Sequence, residues 1–234
     1  MYKSGNIYIT GDKHGEFLPV KNFCDEHLTD TEDIMIVLGD CAFNYYLNHL
    51  DILTKDFAKY IPVTFFCVHG NHEERPYNVS SYKEIDFMGA IAYQEEMFPN
   101  IIFAKDGEIY NFNGKKVICT GGAYSVDKDI RQVNGWPWFE SEQPNEEIKS
   151  FVEKQLDKVN WKVDYVLSHT CPLSYIPTDC YINGVNQEGV DRTTEEWLEG
   201  IENKLDYNKW YCGHWHTDRV VNKINFMFDD ILDF

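Results

Sequence analysis

The 234-residue chain is 43% hydrophobic and 26% charged, with a formal net charge of −18 from 39 acidic and 21 basic residues. No run approaches the ~18 uninterrupted apolar residues of a membrane span, and the acidic excess disfavours the basic surface that an extended nucleic-acid track demands. What remains is a soluble α/β chain, read as one domain over residues 1–234, whose partner is a small ligand or a protein.

The opening "MYKSGNIYIT" has no long apolar segment followed by a cleavage site, so it reads as a first strand and not as an export signal. Apolar runs set against turn residues predict a strand at Asn6–Thr10, a helix at Glu16–Leu28, a strand at Asp33–Gly39, a helix from about Asn48 to Lys59 and a strand at Val63–Val68. That βαβαβ alternation implies a largely parallel sheet with helices on both faces. Further along, "IIFA", "GEIYNF" and "KKVICTG" predict adjacent strands within Ile101–Gly121, with the Asn113-Gly114 step suited to a hairpin turn. Residues 122–145 show neither period and are expected to be a long loop insertion, functional or disordered.

A helix at Asn145–Asn160 follows, with Ile148, Phe151, Val152 and Leu156 on one face. A strand at Asp164–Ser168, a helix opening at Thr193 in a capping box with Glu196, a strand at "KWYCG" and two short strands complete the chain. The seven cysteines are scattered, mostly inside apolar runs, with no CxxC pair. They predict buried thiols in a reducing cytoplasm.

The apolar strands end in turns that carry metal-capable side chains: "GDKHG", "GDC", "HGNHE", "SHTCP" and "GHWH". Ligands of open α/β sheets bind beyond the carboxyl ends of the strands, so Asp12, His14, Asp40, Asn71, His72, His169, His214 and His216 are expected to be neighbours. Imidazole mixed with oxygen donors suits divalent manganese, iron or zinc, whereas calcium would prefer oxygens alone. If the segments are extended, residues two apart point the same way, so His214 and His216 share a side and Trp215 takes the other. There are more donors than one tetrahedral ion needs, which points to two ions sharing the carboxylate of Asp40. Such a pair, ~3.5–4 Å apart, can hold a hydroxide and clamp a phosphoryl oxygen.

These motifs, in this order from Gly11 to His216, resemble the calcineurin-like metallophosphoesterase superfamily, and the stretch "GGAYSVDKDIR" with "GWPW" resembles its bacterial and phage-type members. The resemblance implies a four-layer α/β/β/α fold, a β-sandwich flanked by helices. It also implies that Asp12, His14 and His216 hold one metal ion, that Asn71, His169 and His214 hold the other, and that Asp40 bridges them. His72 matches the histidine that contacts the phosphate and protonates the leaving oxygen. The implied activity is hydrolysis of phosphomonoesters or phosphodiesters, nucleotides included, with a small phosphorylated compound as substrate.

One departure bears on the substrate. Protein Ser/Thr phosphatases continue their second motif as GDxxDRG, whereas this chain reads "GDCAFNY". With that arginine absent, Arg131 and Arg75 are the candidates for gripping phosphate through charge-assisted bonds. Trp136, Trp138 and Tyr124 could form a stacking wall or simply pack the loop. Protein phosphatase activity and a catalytically silent metal-binding scaffold remain alternatives at this stage.

Overall fold

The computed structural model describes residues 5–234, and among these the strands form two sheets packed face to face. The first half of the chain builds β1 (Ile7–Thr10), α1 (Leu18–His27), β2 (Ile34–Val37), α2 (His49–Lys59), β3 (Thr64–Cys67), β4 (Tyr82–Phe87), β5 (Ala90–Glu95) and β6 (Ile101–Ala104). The second half builds β7 (Ile109–Phe112), β8 (Lys115–Thr120), α3 (Lys128–Asn134), α4 (Glu146–Lys158), β9 (Tyr165–Ser168), α5 (Thr193–Glu202), β10 (Lys209–Cys212), β11 (Arg219–Val221), β12 (Ile224–Phe226) and β13 (Leu232–Asp233). One sheet has the order β13-β1-β2-β3-β6-β5-β4 and the other β11-β12-β10-β9-β8-β7.

Alternation along the strands explains the layering. Ile34, Ile36 and Leu38 turn into the space between the sheets, where Phe66, Tyr110, Phe112 and Leu167 meet them. Met35 and Val37 turn the other way, onto Val20 and Cys24 of α1 and Ala58 of α2. A third apolar cluster places Val152 and Leu156 of α4 with Leu198 and Ile201 of α5 against Val166, Trp210 and Phe226. The βαβαβ segment therefore carries helices on one face only. Its other face is apolar because a second sheet covers it, a distinction that strand alternation alone does not make. The four layers expected from the motif resemblance are present.

Three local features depart from the sequence expectations. The β4–β5 hairpin turns through Met88 and Gly89, both at positive φ (52° and 80°), as a two-residue type I′ turn requires. Methionine at the first of these positions hides the usual Asn-Gly signal, whereas Asn113-Gly114 between β7 and β8 displays it and folds as expected. Residues 122–145 include the short helix α3, closed by Gly135 at φ 66°. The helix α5 has no capping box: Arg192 occupies the cap position, and the backbone N–H of Thr193 donates to Asp191 Oδ1 at 2.9 Å. Among the described residues no helix is long and apolar enough to cross a membrane. Six of the seven cysteines are buried as free thiols, with Cys180 half-buried.

Candidate metal centre

The turns after β1, β2, β3, β9 and β10 converge at the carboxyl ends of their strands. Three groups of side chains have ligand atoms within 4.8 Å of one another: Asp12, His14 and His216; His14, Asp40 and His72; and Asp12, Asp40 and His169. Asn71 joins them, its Oδ1 lying 2.7 Å from His169 Nε2 and 3.0 Å from His214 Nδ1. All eight residues singled out in the strand-end motifs are thus brought to one place.

Backbone geometry makes the convergence possible. A Cβ on Gly70 would lie 2.0 Å from Asp40 Oδ1, and one on Gly213 would lie 2.1 Å from Asp12 Oδ1, so each glycine admits a buried carboxylate that any side chain would displace. His14, Asp40, His214 and His216 all adopt the left-handed conformation, with φ between 45° and 65°. Backbone strain of this kind persists only where the surroundings over-determine it. It also corrects the expected mechanism of alignment: His214 and His216 converge through a tight left-handed turn, not by alternation along an extended strand. Trp215 accordingly lies on the cavity wall and donates from Nε1 to Thr170 Oγ1 at 3.2 Å.

The turns also lock one another. The backbone carbonyl of Asp40 accepts the N–H of His14 at 2.7 Å, and its Oδ1 accepts the N–H of His72 at 2.8 Å. The Asp12 carboxylate accepts the N–H of His214 at 2.9 Å and lies 3.2 Å from His216 Nε2. Burial alone would raise the Asp40 carboxyl, but His169, His72, His14 and the His72 amide outweigh it and hold it well below the carboxylate range. Asp12 is likewise lowered, with burial opposed by His169 and by the hydrogen bond from His216. Burial pushes His214 down to about 3, keeping it a neutral donor of a lone pair, while the bond to Asp12 raises His216.

The donor set fits metal ions on its own chemistry. His169 Nδ1 lies 2.8 Å from the Leu38 carbonyl oxygen, which can only accept, so the ring hydrogen belongs there. Nε2 of the same ring faces the oxygen of Asn71 at 2.7 Å, and the Asn71 amide nitrogen donates to Ser125 Oγ at 2.9 Å. His14 Nε2 and His216 Nε2 lie 3.1 Å apart at the exposed edge of the site, the latter also bonded to Asp12. Donor atoms gathered this closely suit cations, and the carbonyl behind His169 fixes its ring as a ligand's supporting partner does.

A cavity of about 230 Å³ opens over His14, Asp40, Asn71, His72, His214 and His216. Part of its lining was not foreseen from the sequence. Tyr181, Ile182, Val185 and Val190, from the segment of short 3₁₀ turns before α5, form it together with Trp215 and Glu195. Of the three aromatic residues read as either a stacking wall or loop packing, Tyr124 lines the cavity. Trp136 is exposed, and Trp138 packs under Lys128 while donating to Glu142 Oε2 at 2.8 Å.

Neither candidate arginine lines this cavity. Arg75 is 1% exposed and spends its guanidinium on Asp106 and on the carbonyls of Ser141 and Gly121, below the site. Arg131, 4% exposed, is held by Asp127 Oδ2 at 2.7 Å and by the Pro137 carbonyl oxygen, and its remaining nitrogen meets the ring of His72. Burial lowers His72, Asp40 opposes that, and Arg131 reinforces it. A further residue escaped sequence reasoning: Glu73, which follows His72 and resembles a helix start, is fully buried, and burial together with Asp40 pushes it up to about 8.

Comparison with known proteins agrees with this geometry. The model of the family described as calcineurin-like phosphoesterase matches residues 5–218. Phosphopantetheinyl Hydrolase (PptH) from Mycobacterium tuberculosis is similar in structure with a TM-score of 0.53 at 14% identity, over 97% of this chain and 89% of that one. The protein TT1561 of Thermus thermophilus is similar with a TM-score of 0.50 at 10% identity, over 97% and 89% of the respective chains. At these identities the likeness is one of fold. A comparison with curated proteins finds no match for the sequence.

Proposed function

The chain belongs to the calcineurin-like phosphoesterase family, which implies metal-dependent phosphoester hydrolysis, and from that premise we propose a dinuclear hydrolase of small phosphomonoesters or phosphodiesters working in the cytoplasm. Asp12, His14 and His216 are assigned to one ion and Asn71, His169 and His214 to the other, with Asp40 between them. When bound, a pair of manganese, iron or zinc ions supplies Lewis acidity and a nucleophile at neutral pH. The observation that carries the reading is the shared Asn71 oxygen, placed between two imidazoles beside the Asp40 carboxylate.

The chain's own residues supply the rest. A guanidinium can only donate, so Arg131, whose one nitrogen meets both ring nitrogens of His72, bonds the one that carries a lone pair. The other ring nitrogen serves the departing alcohol oxygen: as N–H it donates a hydrogen bond, and as the imidazolium it gives up its proton and returns to the neutral ring. Arg131 acts through His72, holding its ring and tautomer. It does not serve as the phosphate grip expected from its charge, and Arg75, spent on Asp106, supports the floor of the site. Apolar side chains from residues 181–190 narrow the cavity, which favours a modest substrate over a folded protein.

The test is to load purified protein with manganese, iron or zinc in turn, count ions per chain by elemental analysis, and measure hydrolysis of p-nitrophenyl phosphate and its bis-ester. Two ions per chain and metal-stimulated turnover are expected. Bound metal without turnover of either ester would leave a silent scaffold.

A further inference from the structure

Glu195, in the first turn of α5, is 3% exposed yet lines the same cavity as the metal ligands. Its Oε1 accepts the hydroxyl of Thr170 at 2.8 Å, and Thr170 in turn accepts the indole N–H of Trp215. Its Oε2 is buried with no hydrogen-bond partner. A buried acceptor left unmatched carries its desolvation penalty uncompensated. Attachment to Thr170 needs one oxygen only and leaves the second unexplained. Burial also pushes the carboxyl above the ordinary glutamate value, with the Thr170 hydroxyl pulling it back.

We propose that Glu195 is a specificity-determining residue whose Oε2 receives a hydrogen bond from a neutral hydroxyl or amide N–H on the alcohol portion of the substrate. The inference rests on the hydrolase reading and deepens it. A phosphoryl group seated over Asp40 and His72 directs its alcohol portion toward the rest of the lining, which offers apolar contact from Val126, Tyr181, Ile182 and Trp215 and the carboxylates of Glu195, Asp127 and Asp191; the oxygens of Asp191 are engaged by Thr193 and Gln143, and Asp127 is held by Arg131. The substrate class is therefore a phosphoester whose leaving group has an apolar body and a hydrogen-bond donor set back from the phosphorus. The donor is neutral because Glu195 already has a cation beside it, Arg192, which is bonded to the carbonyl and side-chain oxygens of Gln187 and packed on Tyr181, so what Oε2 lacks is a hydrogen-bond donor and not a charge. Sites built to bond a substrate hydroxyl discriminate strongly against analogues that lack it.

The measurement uses metal-loaded full-length protein and three series of non-hydrolysable phosphonates of three to eight carbons: alkyl, ω-hydroxyalkyl and ω-aminoalkyl. Calorimetry should find the ω-hydroxy compound bound roughly tenfold or more tightly than the alkyl compound at one chain length. That ratio should fall to about one in Glu195→Gln, which presents an amide where the acceptor stood. The ratio is internal to each protein, so a general loss of affinity does not move it. Equal affinities for the alkyl and ω-hydroxy series at every length in the wild type would overturn the assignment even if the variant failed to fold. A ratio that survives in Glu195→Gln, or tightest binding by the ω-amino series, would overturn it too. Hydrolysis of p-nitrophenyl phosphate by the same samples separates the two levels: its absence beside a preserved hydroxyl preference would sink the hydrolase reading and leave the recognition by Glu195 standing.

Discussion

The two sides of the cavity are built differently. The metal side consists of strand-end turns that hold one another through backbone amides, with glycines at close approach and four left-handed side-chain-bearing residues. The opposite side is drawn from short 3₁₀ turns between β9 and α5 and from the segment around Tyr124 and Val126, where few regular ladders constrain the chain. Chemistry that needs donor atoms fixed to fractions of an ångström sits on the rigid side. The proposed choice of the alcohol portion would fall to the side that few regular ladders constrain. Loops on a rigid scaffold vary with least cost to the fold, so the two tasks are separable here.

The largest test of that division is Asp40→Ala. Removing a carboxylate that faces His14, His72 and His169 should abolish retention of both ions, seen by elemental analysis, and reduce hydrolysis to background. Full turnover with metal-free protein would move the reactive centre elsewhere. Next in size, His72→Ala should keep its metal and lose about 10²–10⁴ in kcat, the usual range for a proton-transfer residue. Equal loss of metal would make His72 a ligand.

A substitution beneath both regions separates support from recognition. Arg75→Met leaves Asp106 without its buried partner, and breaking such a pair costs about 3–5 kcal/mol, readable by urea denaturation. Because Arg75 does not reach the cavity, KM for p-nitrophenyl phosphate should stay within about twofold at temperatures where the variant is folded; a large rise in KM would restore it as a phosphate grip.

The smallest effect concerns the anchoring of the loop side. Glu142 holds Trp138 and Ser125, and burial raises its carboxyl above the ordinary value. A raised acid takes up its proton more readily when folded. Its contribution is therefore complete below the unfolded value of about 4.5 and fades as pH climbs through the folded one. The stability of the wild type relative to Glu142→Gln should accordingly improve on acidification from neutral pH, measured by denaturation at a series of pH values. An opposite slope would mean that the hydrogen bonds from Trp138 and Ser125 outweigh burial.

Sequence reasoning reached the metal side almost whole because its signals are local. "GDKHG", "GNHE" and "GHWH" pair a donor residue with the glycine that lets it approach, and hydrophobic period identifies the strands that carry them. It missed the β4–β5 hairpin, where the type I′ turn uses Met88 and only tertiary pairing holds that residue at positive φ. It placed Arg75 and Arg131 by charge. Whether a guanidinium meets substrate, Asp106 or His72 depends on what the fold packs around it, and no spacing in the chain records that.

The sequence by itself determined the donor atoms and the order of strands that delivers them, since residue type and period are properties of short segments. Only the tertiary structure decided that the first sheet lies against a second one, that a left-handed turn aims His214 and His216, and that Glu195 closes the cavity with one oxygen unmatched. Those outcomes depend on burial and on contacts between residues far apart in the chain, and such quantities exist only once the layers have packed.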